Sequence, residues 1–240
     1  MAQVETFRFP HRGVAIHCRI QRGKRLKTMA LRVSTEGLVT VLVPADLPDS
    51  KARQFAKSKA EWISSKRRYF AKLARVFPRK EFVSGESFKV NGKLYRLKFI
   101  PSVKTIPFCR LQGRRLVVSA PGPQRAREAI IKFFFDQTNS KVQPILKKLV
   151  PSLGFPAPKI KIVNQENRWA SCSKNKILRF NWKLGMVPPF VLNYVVAHEV
   201  CHLKHPNHSE GFWRTLRALN PRAEVARQWL RENSGLLRII

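Results

Sequence analysis

The chain has 240 residues, room for one large domain or two small ones with a core that needs no staples. Its 44% hydrophobic and 25% charged content is ordinary for a globular protein, but 47 Lys and Arg stand against 14 Asp and Glu, a formal charge of +33. That excess excludes the surface of a generic small-molecule enzyme and points to an anionic partner: nucleic acid, ribosome or anionic membrane. The uncharged stretch 184–197 is 14 residues long and contains Pro188 and Pro189, short of the about 20 apolar residues of a spanning helix. The first residues carry no export-signal pattern. Cys18, Cys109, Cys172 and Cys201 form no C-x-x-C pair and read as reduced thiols, which places the expected protein in the cytoplasm.

In chain order, Ile16 to Pro44 alternates like paired strands, with a turn at Glu36-Gly37. A helix is expected from Ser50 to Val76, with Phe55, Trp62, Ile63 and Phe70 inward and a nearly acid-free Lys/Arg face outward. Strands return over 87–120, with an Asn91-Gly92 hairpin turn. A second helix runs from Gln124 to about Leu149 with Ile130, Phe133, Phe134 and Ile145 inward. No internal repeat is visible. The expected architecture is α+β: a basic β-rich region with a long helix over residues 1–120, then a catalytic domain over 121–240.

Chemistry concentrates near the C-terminus, where four of the six histidines lie between residues 198 and 208. His198-Glu199-Val200-Cys201-His202 sets two histidines four apart. On a helix they project from one face, about 40° apart around the axis and ~6 Å along it, within reach of one tetrahedral zinc. Glu199 then sits where it can take a proton from a zinc-bound water. Leu192, Val196, Val200 and Leu203 form the opposite, core-facing stripe. Two imidazoles hold zinc weakly, so a third ligand is required. His205 shares the face only if the helix continues, and Pro206 disfavours that. His208, after the resulting turn, is preferred, with His205 or a cysteine as the alternatives. The spacing from His202 to His208 is that of the metzincins, but the usual hinge-glycine position holds His205 and no Met-turn follows. Cys201 reads as a small interior hydrophobe, and Phe212 and Trp213 as packing behind His208.

The segments "NRWASCSKNKILRFNWKL" and "YVVAHEVCHLKHPNHSEGFW" resemble the YgjP-like metal-dependent hydrolases, zincins related to SprT and WLM-type metallopeptidases. "KRLKTMALRVSTEGLVTVLVP", "KAEWISSKRRYF" and "FVSGESFKVNGKLYRLKF" extend the resemblance over most of the chain. It implies a zincin-like domain with one zinc held by His198, His202 and His208, and Glu199 as general base. Ala170 stands where the family usually has glycine, and Val200 where leucine is common.

Upstream of the histidine helix, "RWASCS" reads as a strand at the cleft edge, where an extended peptide can add and where Arg168 or Ser171 can contact substrate. The leading expectation is therefore a zinc metallopeptidase acting on protein or peptide. A second expectation is that the basic first half grips nucleic acid and the site cuts proteins bound there, as in the SprT and WLM-type proteases it resembles. A third is a zinc-stabilised basic binding module without turnover.

Overall fold

The computed structural model describes residues 5–34, 36–103 and 106–239. They form two compact units, one ending at Pro78 and one beginning at Arg79. Each mixes helices with open sheets, the α+β class expected.

In the first unit, β1 (Glu5–His11), β2 (Val14–Gly23), β3 (Ala30–Val33) and β4 (Val39–Pro44) are ordered β1-β2-β4-β3. The outer pairs are antiparallel and the central β2–β4 pair is parallel. Strand residues alternate between faces. One set, including Phe7, Phe9, Ile16, Cys18, Ile20, Val39, Val41 and Val43, is buried with Ala52, Ala56, Ala60 and Ile63 of the following helices. The single helix expected over Ser50–Val76 is two: α1 (Asp49–Ser58) and α2 (Ala60–Val76), interrupted at Lys59, whose φ and ψ are −106° and 14°. Trp62 is not a core residue; it is 42% exposed. Ile63 and Phe70, seven apart, share the buried face of α2, and Trp62 falls one position off it.

The second unit opens with β5 (Ser87–Val90), β6 (Lys93–Pro101), β7 (Phe108–Gln112) and β8 (Arg115–Ala120), ordered β5-β6-β8-β7, followed by α3 (Pro123–Leu149). Ile130 and Phe134 of α3 are fully buried, while Phe133 and Ile145 are half-buried. This unit therefore joins the strands of 87–120 to the histidine helix, whereas the sequence reading divides the chain at residue 120. A small sheet, β9 (Ile160–Val163), β10 (Ala170–Cys172) and β11 (Leu178–Asn181), is ordered β10-β11-β9, leaving β10 at an edge. Then come α4 (Pro189–Lys204), α5 (Glu210–Leu219) and α6 (Ala223–Glu232).

Two features hold α4 in place. The β5–β6 hairpin tip, with Asn91 and Gly92 both at positive φ (53° and 79°), donates its backbone N–H groups to Gly185 and Met186 O at 3.0 Å each. A Cβ on Gly92 would meet Pro188 Cγ at 2.7 Å, so only glycine fits this approach just ahead of α4. The second feature is Lys183, 2% exposed beside Trp182, whose Nζ donates to Leu237 O at 2.7 Å and so ties the C-terminal segment down.

Burial lowers the Lys183 ammonium from 10.5 to about 8. Between those pH values the unfolded chain binds more protons than the folded one, so stability from this group rises with pH across that window. Below it, the cost of the buried charge is fully present. Urea unfolding of the wild type and Lys183→Met should show the stability difference shifting toward the wild type between pH 8 and 10.5. A gap independent of pH would remove the buried charge as its cause.

Candidate metal centre

α4 is apolar nearly all round and is correspondingly buried: Val191, Leu192, Val195, Val196, Ala197, Val200, Cys201 and Leu203 are all in the core. The stripe opposite the histidines is thus part of a wider burial, and only a narrow face carrying His198 and His202 reaches a cleft. The helix ends at Lys204, and His205 takes an extended conformation (φ −120°, ψ 104°), the turn that Pro206 leads one to expect. The chain then reverses. Ser209 caps α5 by accepting from Phe212 N at 3.4 Å, and His208, just before that cap, comes back over α4.

The structure brings His198, His202 and His208 together: one ring nitrogen from each lies within 4.8 Å of the others. The Nε2 atoms of His198 and His208 are 3.1 Å apart, close to the about 3.3 Å between two nitrogens bound tetrahedrally to one zinc. His202 Nδ1 is 3.0 Å from His205 O. Donation there places the proton on Nδ1 and leaves the Nε2 lone pair free. The Phe212 ring, fully buried, lies 5.0, 4.7 and 4.7 Å from the His198, His202 and His208 rings and forms an apolar floor beneath all three. Trp213 stacks on His208 at 5.6 Å.

Electrostatics agree with a cation site. Burial, with the neighbouring imidazoles, pushes His198 down to about 3, so its ring is neutral and available as a donor at ordinary pH. Glu199 is 6% exposed, and burial raises its carboxyl to about 7 against a hydrogen bond from the Cys172 backbone N–H. Among the described residues its Oε2 has no partner, an orphaned acceptor at the cleft where a water or substrate proton can be held. The donors present thus fit a divalent ion: three nitrogens, one with a fixed tautomer, and a carboxylate alongside.

The other residues considered as a third ligand do not join this cluster. His205 Nε2 is 3.2 Å from Thr215 Oγ1 on α5, outside the three-histidine cluster. Among the described residues no cysteine sulfur joins the cluster, although Cys172 lines the same cleft.

The cleft is about 680 Å³, lined on one side by Ala170 to Lys174 and Lys176, and on the other by the histidines, Glu199, Lys204 and Pro206. Ser171 is among these residues. Arg168 is exposed ahead of them, and its carbonyl accepts from Asn181 Nδ2 at 2.9 Å. Ala170 pairs with Phe180 in ordinary strand conformation, so alanine fits there without strain. Two contributors have no signature in the sequence. One is the Cys172 amide, a backbone group that touches Glu199 only through the fold. The other is the set of cleft lysines, Lys174, Lys176 and Lys204, which look like any other exposed lysines in a chain this basic.

An imidazole pair on one helix, completed from the following loop and flanked by a carboxylate, belongs to the class of metal-dependent hydrolases. A family profile for the YgjP-like metallopeptidase domain matches residues 27–233, and the chain belongs to that family. It is thus a metallopeptidase-family hydrolase with a three-histidine cluster able to bind a metal. Comparisons with curated proteins and with solved structures gave no significant match. Among the described residues no helix is long and apolar enough to cross a membrane.

Proposed function

We propose that the chain is a zinc peptidase in which His198, His202 and His208 hold the ion and Glu199 is the general base. One observation carries this reading: three imidazole nitrogens converge within 4.8 Å beside a buried carboxylate that has an orphaned oxygen. Neutral nitrogen donors suit zinc better than the hard cations, and three protein ligands leave a position open. When bound, zinc supplies Lewis-acid chemistry, bringing the pKa of water toward neutrality and polarising a carbonyl.

The chain's own residues do the rest. Glu199, oriented by the Cys172 amide, takes the proton of the attacking water and returns it to the leaving amine. The edge strand β10 offers an extended peptide a partner, with Ser171 and, at the head of the strand, Arg168 as the substrate contacts. Four free cysteines favour a reducing, cytoplasmic setting. The test is hydrolysis of an unfolded protein such as casein: activity should disappear on chelation and return with zinc. Hydrolysis that persists in metal-free protein would remove the reading.

The charge of +33 favours a second reading, that the peptidase works on proteins held on nucleic acid. A closed structural zinc site, the third reading, has no use for an open position or for the buried carboxylate next to it.

A further inference from the structure

The two four-stranded sheets are built to one plan. Each begins with a hairpin closed by a two-residue turn with both residues at positive φ, Arg12-Gly13 and Asn91-Gly92. Each then runs antiparallel, parallel, antiparallel in the order 1-2-4-3 and leads into helix, α1 with α2 in one case and α3 in the other. The registers correspond residue by residue. Cys18 pairs with Val39, and Val39 with Val33, in the first sheet. Leu97 pairs with Leu116, and Leu116 with Leu111, in the second. The chain thus contains a duplicated ββββα module.

The outward faces correspond as well, and they are basic. In the first module the row Arg19–Thr40–Arg32 crosses three strands in register, and Arg8 pairs with His17 beside it. In the second, the row Lys98–Val117–Arg110 occupies the same positions, with Arg96 at the place of His17. Arg8, His17, Arg19, Arg32, Arg96, Lys98 and Arg110 are all exposed. Among the described strand residues no acidic side chain lies on either outward face. Glu5 sits on the opposite face of its sheet and pairs with Arg53 at 2.6 Å, Asp49 pairs with Arg22, and Glu61 on α2 pairs with Arg12 at 3.1 Å.

The sequence directs attention to the Lys/Arg face of the 50–76 helices, where the one acid, Glu61, pairs with Arg12 and Arg68. The sheet faces are acid-free, and the same places carry cations twice. We infer that these two outward sheet faces bind the phosphate backbone of single-stranded nucleic acid.

The shape of the charge selects the ligand. Strands stand about 4.8 Å apart and rise about 3.4 Å per residue, so Arg19 and Arg32 are roughly 10 Å apart and Arg8 and Arg32 roughly 16 Å. Such cations do not converge on one small anion; they match a chain of regularly spaced charges. An acidic protein partner would call for an apolar centre to the patch, and a membrane surface for an inserting apolar side; the first face instead presents Arg8, His17, Arg19, Gln21, Arg32 and Thr40, with Leu42 half-buried among them. On the second face Val117 is buried between Lys98 and Arg110, and Leu94, Ile100 and Phe108 are exposed beside the cations; the Phe108 ring, with the Arg110 guanidinium 5.2 Å away, is a surface on which a base can stack.

The inference rests on the charge reading and not on the metal centre. The test measures binding of a labelled oligouridine to the full chain by anisotropy over a salt series. Two triple variants are compared, Arg8→Gln/Arg19→Gln/Arg32→Gln and Arg96→Gln/Lys98→Gln/Arg110→Gln. A helix control with the same loss of charge is Lys51→Gln/Lys57→Gln/Lys72→Gln. Each sheet triple should weaken binding at least ~10-fold and reduce the slope of log K against log salt by about 2, since each lost phosphate contact removes about 0.7. The helix control should stay near wild type, and metal content should be unchanged in all three. The inference is overturned if wild type fails to bind at low salt, if either sheet triple matches the helix control, or if phosphatidylserine vesicles capture the chain and the oligonucleotide does not. Loss of the peptidase reading would leave these results standing.

Discussion

Glu199→Gln should keep the metal at the wild-type level and lower kcat by about 10²–10⁴-fold, the range a positioned general base supplies. Glutamine keeps the shape and can still accept from the Cys172 amide, but it takes up no proton. The paired measurement is metal content by mass spectrometry alongside the rate of peptide hydrolysis. A closed structural site would show no turnover in either protein, and wild-type turnover in the variant would take the base role away from this residue. The pH profile carries the same information. Burial raises the carboxyl to about 7, and the protonated form is no base, so the rate should fall as pH drops through the folded pKa. A divalent ion on the neighbouring imidazoles stabilises the carboxylate, which puts the acid limb of the loaded protein below that value. In the variant this limb should be missing.

His198→Ala and His208→Ala should each take the bound zinc from about one per chain to a small fraction, because two imidazoles alone hold zinc weakly. His205→Ala should retain it, since that ring is directed to Thr215. Thermal melts give a second readout, because a metal that binds only the folded chain raises its stability by mass action. Added zinc should raise the Tm of wild type and His205→Ala, and leave that of the two ligand variants unchanged. Zinc retained by His208→Ala would move the third ligand elsewhere.

Much of the proposed site was legible because it is local. His198, Glu199 and His202 lie within five residues, and helical geometry alone puts both imidazoles on one side. Pro206 announces the end of that helix, and the chain does turn extended at His205. Other parts needed contacts between distant residues. Trp62 looks like core by composition, but a one-position offset from Ile63 and Phe70 leaves it at the surface. The helix over 50–76 breaks at Lys59 with no glycine or proline to mark the place.

The duplication is the clearest case. At equivalent positions the two modules share only scattered identities, Phe9 with Phe88, Gly13 with Gly92, Arg32 with Arg110, Val41 with Val118 and Pro44 with Pro121, so no repeat shows in the text. It becomes visible only through strand order and hydrogen-bond register.

The sequence by itself determined the α+β class, the paired histidines with their neighbouring carboxylate, the end of the helix that carries them and the basic excess, because each is written in spacing of a few residues or in composition. Tertiary structure decided the return of His208 over α4, the burial that lifts Glu199 and the Cys172 amide that meets it. It also decided which cations stand together without acids on a sheet face. These depend on packing between segments tens of residues apart, where side-chain type sets what is tolerated and the fold sets what meets.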